Sequence, residues 1–109
     1  MIVNVCPAAL TSAPQERIWS LLTTPERFGE WVDASFVSAS PPDRARAGQV
    51  IHLSAPSLGR RWPMRIDVVD IDPAQGWIDL VAHLPFGIDN HERVAVTPSD
   101  GGGTLVRFN

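Results

Sequence analysis

From Gln15 to Val32 apolar residues recur at helical spacing, and from Ala34 onward they recur at every second position. A repeat of three to four residues marks one face of a helix, whereas alternation marks a half-buried strand. The opening residues 2–5 alternate weakly and predict a short first strand that resumes through 8–10, with Pro7 marking an edge or a bulge. A helix start follows: Ser12 is placed as N-cap, Pro14 in the first turn, and Gln15 three residues after Ser12 as the second half of a capping box. Ile18, Leu21 and Leu22 with Trp19 form its apolar stripe. Thr24-Pro25 ends this helix and starts a second, short one whose apolar side is Phe28, Trp31 and Val32.

The alternating part divides at turn signals. Strands are expected around 35–39 and 49–55, separated by a loop through Pro41, Pro42 and Gly48. Trp62, Met64, Ile66 and Val68 alternate with Arg61, Pro63, Arg65 and Asp67, and the Val68-Val69 doublet that breaks the alternation predicts a bulge before Ile71. Further strands are expected over 77–84 and 88–97. The Pro98 to Gly103 connection then leads into a last strand carrying Thr104, Val106 and Phe108. One strand, two short helices and about six antiparallel strands in a meander make an α+β domain with a curved sheet.

At 109 residues a single domain is expected over 1–109. Nine arginines, no lysine and twelve acidic residues give a net charge of −3, which argues against nucleic acid or an anionic membrane surface as the main partner. The single Cys6 excludes an internal disulfide, and its position beside Pro7 with no neighbouring His marks a structural thiol. No stretch approaches the roughly 20 apolar residues of a membrane span and no leader pattern opens the chain, so a cytoplasmic location is expected.

The Ser12-Ala13-Pro14-Gln15-Glu16-Arg17-Ile18-Trp19-Ser20-Leu21-Leu22 helix and the following Thr24-Pro25-Glu26-Arg27-Phe28-Gly29-Glu30-Trp31 segment resemble the opening of the START-like superfamily (SRPBCC, helix-grip fold), and within it the polyketide cyclase/dehydrase group. The Arg61-Trp62-Pro63-Met64 strand, the Asp72-Pro73 to Gly76-Trp77 turn and the Gly101-Gly102-Gly103-Thr104 turn are similar to that group's meander. The resemblance implies a sheet of six to seven strands and a cavity that binds a hydrophobic small molecule such as a lipid, polyketide or aromatic metabolite. It also implies a long C-terminal helix, which this sequence does not include, so the chain reads as truncated in its last strand.

If Trp62, Met64, Ile66, Ile78, Leu80, Val94, Val96, Val106 and Phe108 share one concave face without that helix, the bare apolar area exceeds the few hundred Å² a monomer tolerates. At roughly 25 cal/mol per Å² such a face forfeits many kcal/mol against a net stability of about 5–15 kcal/mol. Three remedies are open: a longer natural chain, a homodimer packed face to face, or a partner helix.

Candidate chemistry follows from strand parity. Asn90 and Glu92 share the face of Val94 and Val96 and are expected in the cavity. A carboxyl desolvated among Trp62, Met64 and Leu80 suits a general acid or base for cyclisation or dehydration, with Asn90 orienting a carbonyl. The alternative is a Glu92 solvated at the strand's mouth or paired with an arginine. His52 is a second candidate, because the Val50-Ile51 doublet leaves its face open, whereas His83 and His91 fall on the convex side. Trp31 and Trp62 are the tryptophans expected to face a ligand, with Met64, Leu80 and Val94 lining the same space; the alternative for each is plain core. Arg60, Arg61 and Arg65 are either an anion grip or an ordinary solvated face. No Cys pair or HExxH spacing marks a metal site, Asp70-Ile71-Asp72 departs from a calcium loop, and the triple glycine lacks the Lys-Ser/Thr of a phosphate loop, so neither metal nor cofactor is expected.

Overall fold

The computed structural model describes residues 8–32, 34–84 and 87–108. Residues 2–5 and Cys6, read above as a strand and a structural thiol, lie outside the described residues. Strand β1 (Ala8–Thr11) is followed by helix α1 (Gln15–Thr23) and a 3-10 helix (Pro25–Glu30). Six strands then run in meander: β2 (Ser35–Ser40), β3 (Val50–Ser57), β4 (Arg60–Asp72), β5 (Trp77–Leu84), β6 (Ile88–Pro98) and β7 (Thr104–Phe108). They form one antiparallel sheet in the order β1-β7-β6-β5-β4-β3-β2, so the first strand closes against the last.

The bulge expected at Val68-Val69 is present: Val68 opposes Leu80 while Asp70 opposes Asp79, leaving Val69 as the extra residue. A second irregularity lies between Phe36 and Ser38 in β2, which leaves Val37 extra. Both extra valines are exposed, Val37 at 60% and Val69 at 55%. Each slip restores the apolar parity beyond it, so that Ile71 opposes Ile78 and Ala39 opposes Ile51.

The helix start differs from expectation. Pro14, at φ −68° and ψ 156°, is the N-cap and makes no side-chain cap bond. Ser12 is exposed outside the helix, and Gln15, instead of closing a capping box, reaches from α1 to β6 with Nε2 3.4 Å from the Val96 carbonyl oxygen. At the other end the Thr23 and Thr24 hydroxyls donate back to the Trp19 and Ser20 carbonyls, and the Arg44 guanidinium donates to the Thr23 hydroxyl at 2.6 Å, pinning the β2–β3 loop to the end of α1. The same loop is held from inside by the fully buried Gln49, whose amide donates to the carbonyls of Pro41 and Asp43.

The concave face is not left bare, contrary to the estimate from alternation. Met64, Ile66, Val68, Ile78, Leu80, Val94, Val96 and Val106 are all buried within the single chain, together with Leu22 of α1 and Phe28 of the 3-10 helix. Curvature explains the difference: the bulged sheet wraps the two short helices, with α1 against β6 and the 3-10 helix against β2. The exposure that motivated a face-to-face homodimer or a partner helix is therefore absent among these residues. Trp62 and Phe108 remain only partly buried.

Candidate functional site

Two rows of cross-strand neighbours build the middle of the concave face. Ile66, Ala82 and Asn90 lie side by side on β4, β5 and β6, and Val68, Leu80 and Glu92 form the next row. Trp31 and Val32, just past the 3-10 helix, approach from above, where the Trp31 ring tilts against Phe28 at a centroid distance of 4.7 Å. Between these layers lies a cavity of about 130 Å³ lined by Trp31, Val32, Met64, Ile66, Leu80, Ala82, Leu84, Asn90 and Glu92.

Five residues singled out by parity and resemblance, Trp31, Met64, Leu80, Asn90 and Glu92, are thus brought together on one cavity. Three others are not. Val94 points inward but is fully buried in the core beside α1, so it holds the sheet and lines nothing. Trp62 lies on the concave face toward the far end of β4, outside the cavity, with the Arg60 guanidinium 4.6 Å above its ring. His52 is exposed on the opposite face, opposite Arg65 and between the buried Ile51 and Leu53, and this corrects its reading as a pocket residue. The arginines read as an anion grip are engaged elsewhere. Arg61 donates to the hydroxyls of Ser54 and Ser35 and to the Ser54 carbonyl, and Arg65 lies 3.1 Å from Asp67.

The polar groups of the cavity are few. Burial pushes the Glu92 carboxyl above its ordinary value, and no other influence contributes. The alternative of an arginine partner is not realised among the described residues. Trp31 Nε1 is buried with no hydrogen-bond partner among them. A buried donor left unmet costs about 1–3 kcal/mol, so polar groups of this kind are normally engaged. Asn90 stands at the solvent-exposed rim.

The convex face carries a cluster that parity did not foresee. His83 Nδ1 lies 2.8 Å from Asp89 Oδ1 and its Nε2 lies 2.8 Å from Asp67 Oδ2, so one imidazole bridges β4, β5 and β6. The hydrogen bonds to Asp67 and then to Asp89 hold its pKa above the ordinary 6.5, with smaller opposition from burial and Arg65. Beside it, Arg93 forms a two-pronged pair with Asp79 and stacks 3.9 Å over the Trp77 ring. No group of metal-ligating side chains occurs among the described residues.

Helices on a curved sheet with an apolar cavity between them narrow the family to few choices, and residues 9–109 match the one described as polyketide cyclase / dehydrase and lipid transport. The chain belongs to that family. No curated protein matches it. Among solved structures, the cyclase/dehydrase-family chain is similar to Ara h 8.0201 with a TM-score of 0.74 at 14% identity, covering 95% of this chain and 72% of that one. A Rhodobacter sphaeroides protein aligns with a TM-score of 0.69 at 17% identity, covering 93% and 68% of the two chains. CalU16 from Micromonospora echinospora gives 0.62 at 19%, covering 93% of this chain and 53% of its own length, so the family member described here spans about half of CalU16. At these identities the likeness shows the fold, the helix-grip architecture of the START-like superfamily. No helix among the described residues is long and apolar enough to cross a membrane.

Proposed function

We propose that this domain binds a hydrophobic small molecule in the cavity between Trp31 and the β4–β6 floor. The observation that carries the reading is the cavity itself: six apolar side chains and one indole surround it, and its only other polar side chains are Asn90 and Glu92. An apolar wall with a few placed polar groups is the usual make-up of a small-molecule site. Amide NMR of the labelled chain against single-ring aromatics, multi-ring aromatics and fatty acids tests it. Shifts clustered on Met64, Ile66, Leu80, Ala82 and Asn90 are expected for at least one class. Shifts scattered over the surface, or none for any class, overturn it.

A second reading is favoured by the Glu92 carboxyl, whose pKa is raised by burial at the cavity wall. A carboxyl that keeps its proton nearer neutral pH serves as general acid or base, here in a cyclisation or dehydration of a bound carbonyl compound, with Asn90 positioned to orient the carbonyl. Glu92→Gln is expected to abolish such turnover while leaving binding in place. Unchanged turnover in the variant removes Glu92 from the chemistry.

A further inference from the structure

The cavity's size and the residue that creates it carry a sharper statement about the ligand, one that rests on the binding reading above. Ala82 sits at the centre of the floor, with Ile66 on one side and Asn90 on the other. The residues two before and two after it on the same face are Leu80 and Leu84, both of which line the cavity. Every other apolar position of the lining carries a long or branched side chain, so the dip in the floor is the place where a side chain stops at its β-carbon. The resulting space is about 130 Å³, close to the roughly 150 Å³ apolar cavity that holds one benzene ring. A fused multi-ring compound or a long acyl chain exceeds it.

The polar side chains of the floor stand at one side of this space, where Asn90 follows Ala82 in one row and Glu92 follows Leu80 in the next. An amide offers both a donor and an acceptor, and a carboxyl accepts when ionised. A hydroxyl on a ring seated over Ala82 meets both needs, since it donates to one group and accepts from the other. We infer that the cavity selects a single-ring ligand bearing a hydroxyl, and that Ala82 sets the size limit.

The test is a binding series with phenol, toluene, 2-naphthol and decanoate, followed by amide NMR on the full chain. Phenol is expected to shift the cavity residues, toluene to bind at least tenfold more weakly, and 2-naphthol and decanoate to leave the cavity residues unmoved. Ala82→Leu is expected to weaken phenol at least tenfold with an unchanged circular dichroism spectrum, and Ala82→Val serves if the leucine variant does not fold. Leu84→Ala, at a half-buried rim position, is expected to admit 2-naphthol. Cavity binding of 2-naphthol or decanoate by the unaltered protein, or phenol binding unaffected in a folded Ala82 variant, overturns the size limit while leaving hydrophobic binding intact. Equal affinity for toluene and phenol overturns the hydroxyl. Failure of all four probes overturns this inference and the binding reading together.

Discussion

A histidine between two carboxylates needs a proton on each ring nitrogen to satisfy both, and only imidazolium has them. His83 is in that position, and its pKa is raised by Asp67 first and Asp89 second. The groups around it are Arg65 and Asp67 on β4, Asp89 on β6, and, one step along the outer face of β6, His91. A pKa raised on folding gives stability that is fully present below the unfolded value near 6.5 and is lost as pH climbs through the folded value. The urea midpoint is therefore expected to fall as pH rises above about 6.5, and His83→Gln is expected to flatten that decline. Parallel declines in the two proteins would remove His83 as its source. At this scale the sequence was informative where strand parity decides the matter. Asn90 and Glu92 were placed on the cavity face from the positions of Val94 and Val96. His52 was left open by the Val50-Ile51 doublet, although Ile51, Leu53 and Ala55 alternate and point it outward. Trp62 had the correct face and the wrong distance, because parity gives a side and curvature decides what that side meets. The His83 cluster joins three strands, and no local pattern records it.

Elements were read more easily than their ends. The expected strand over 77–84 is observed as β5 with the same limits, and the second short helix begins at Pro25 as expected. The capping box failed because the helix begins at Gln15 with Pro14 as its N-cap, which leaves Ser12 outside and frees the Gln15 amide to donate to the Val96 carbonyl, a tertiary contact that a helix-terminus rule does not see. The 3-10 helix contributes to packing out of proportion to its length. Phe28 has no exposed surface, contacts Trp31, and sits under the segment that roofs the cavity. Phe28→Ala is expected to cost about 3–5 kcal/mol in urea unfolding, from lost burial and the void left behind. A loss below about 1 kcal/mol would mean that the segment collapses onto the sheet without it.

For the molecule as a whole, the lesson concerns covering. Adding up alternating apolar residues implied a face too large for two short helices, yet the single chain buries nearly all of it, since a sheet bent over its helices presents less area than a flat one. The strands differ in how firmly they are held. β5 is paired with β6 along its whole length and with β4 from Trp77 to His83, whereas β1 has four residues, one neighbour and a mostly exposed surface. Hydrogen exchange is expected to be slowest for β5 amides and fastest, among strand amides, for β1, because local opening follows contact and burial. The reverse order would contradict the sheet order found here.

Val37 and Val69 are each one residue more than the ladder requires. Such residues are where a chain can change length: removing Val69 leaves Val68 facing Leu80 and puts Asp70 next to it in an unbroken alternation, with Ile71 still turned inward. The shorter chain would keep every core pairing along β4 and lose the bend. The two surplus valines therefore act as spacers that trade regularity for concavity, and a relative lacking either of them should have the same list of core residues around a shallower bowl.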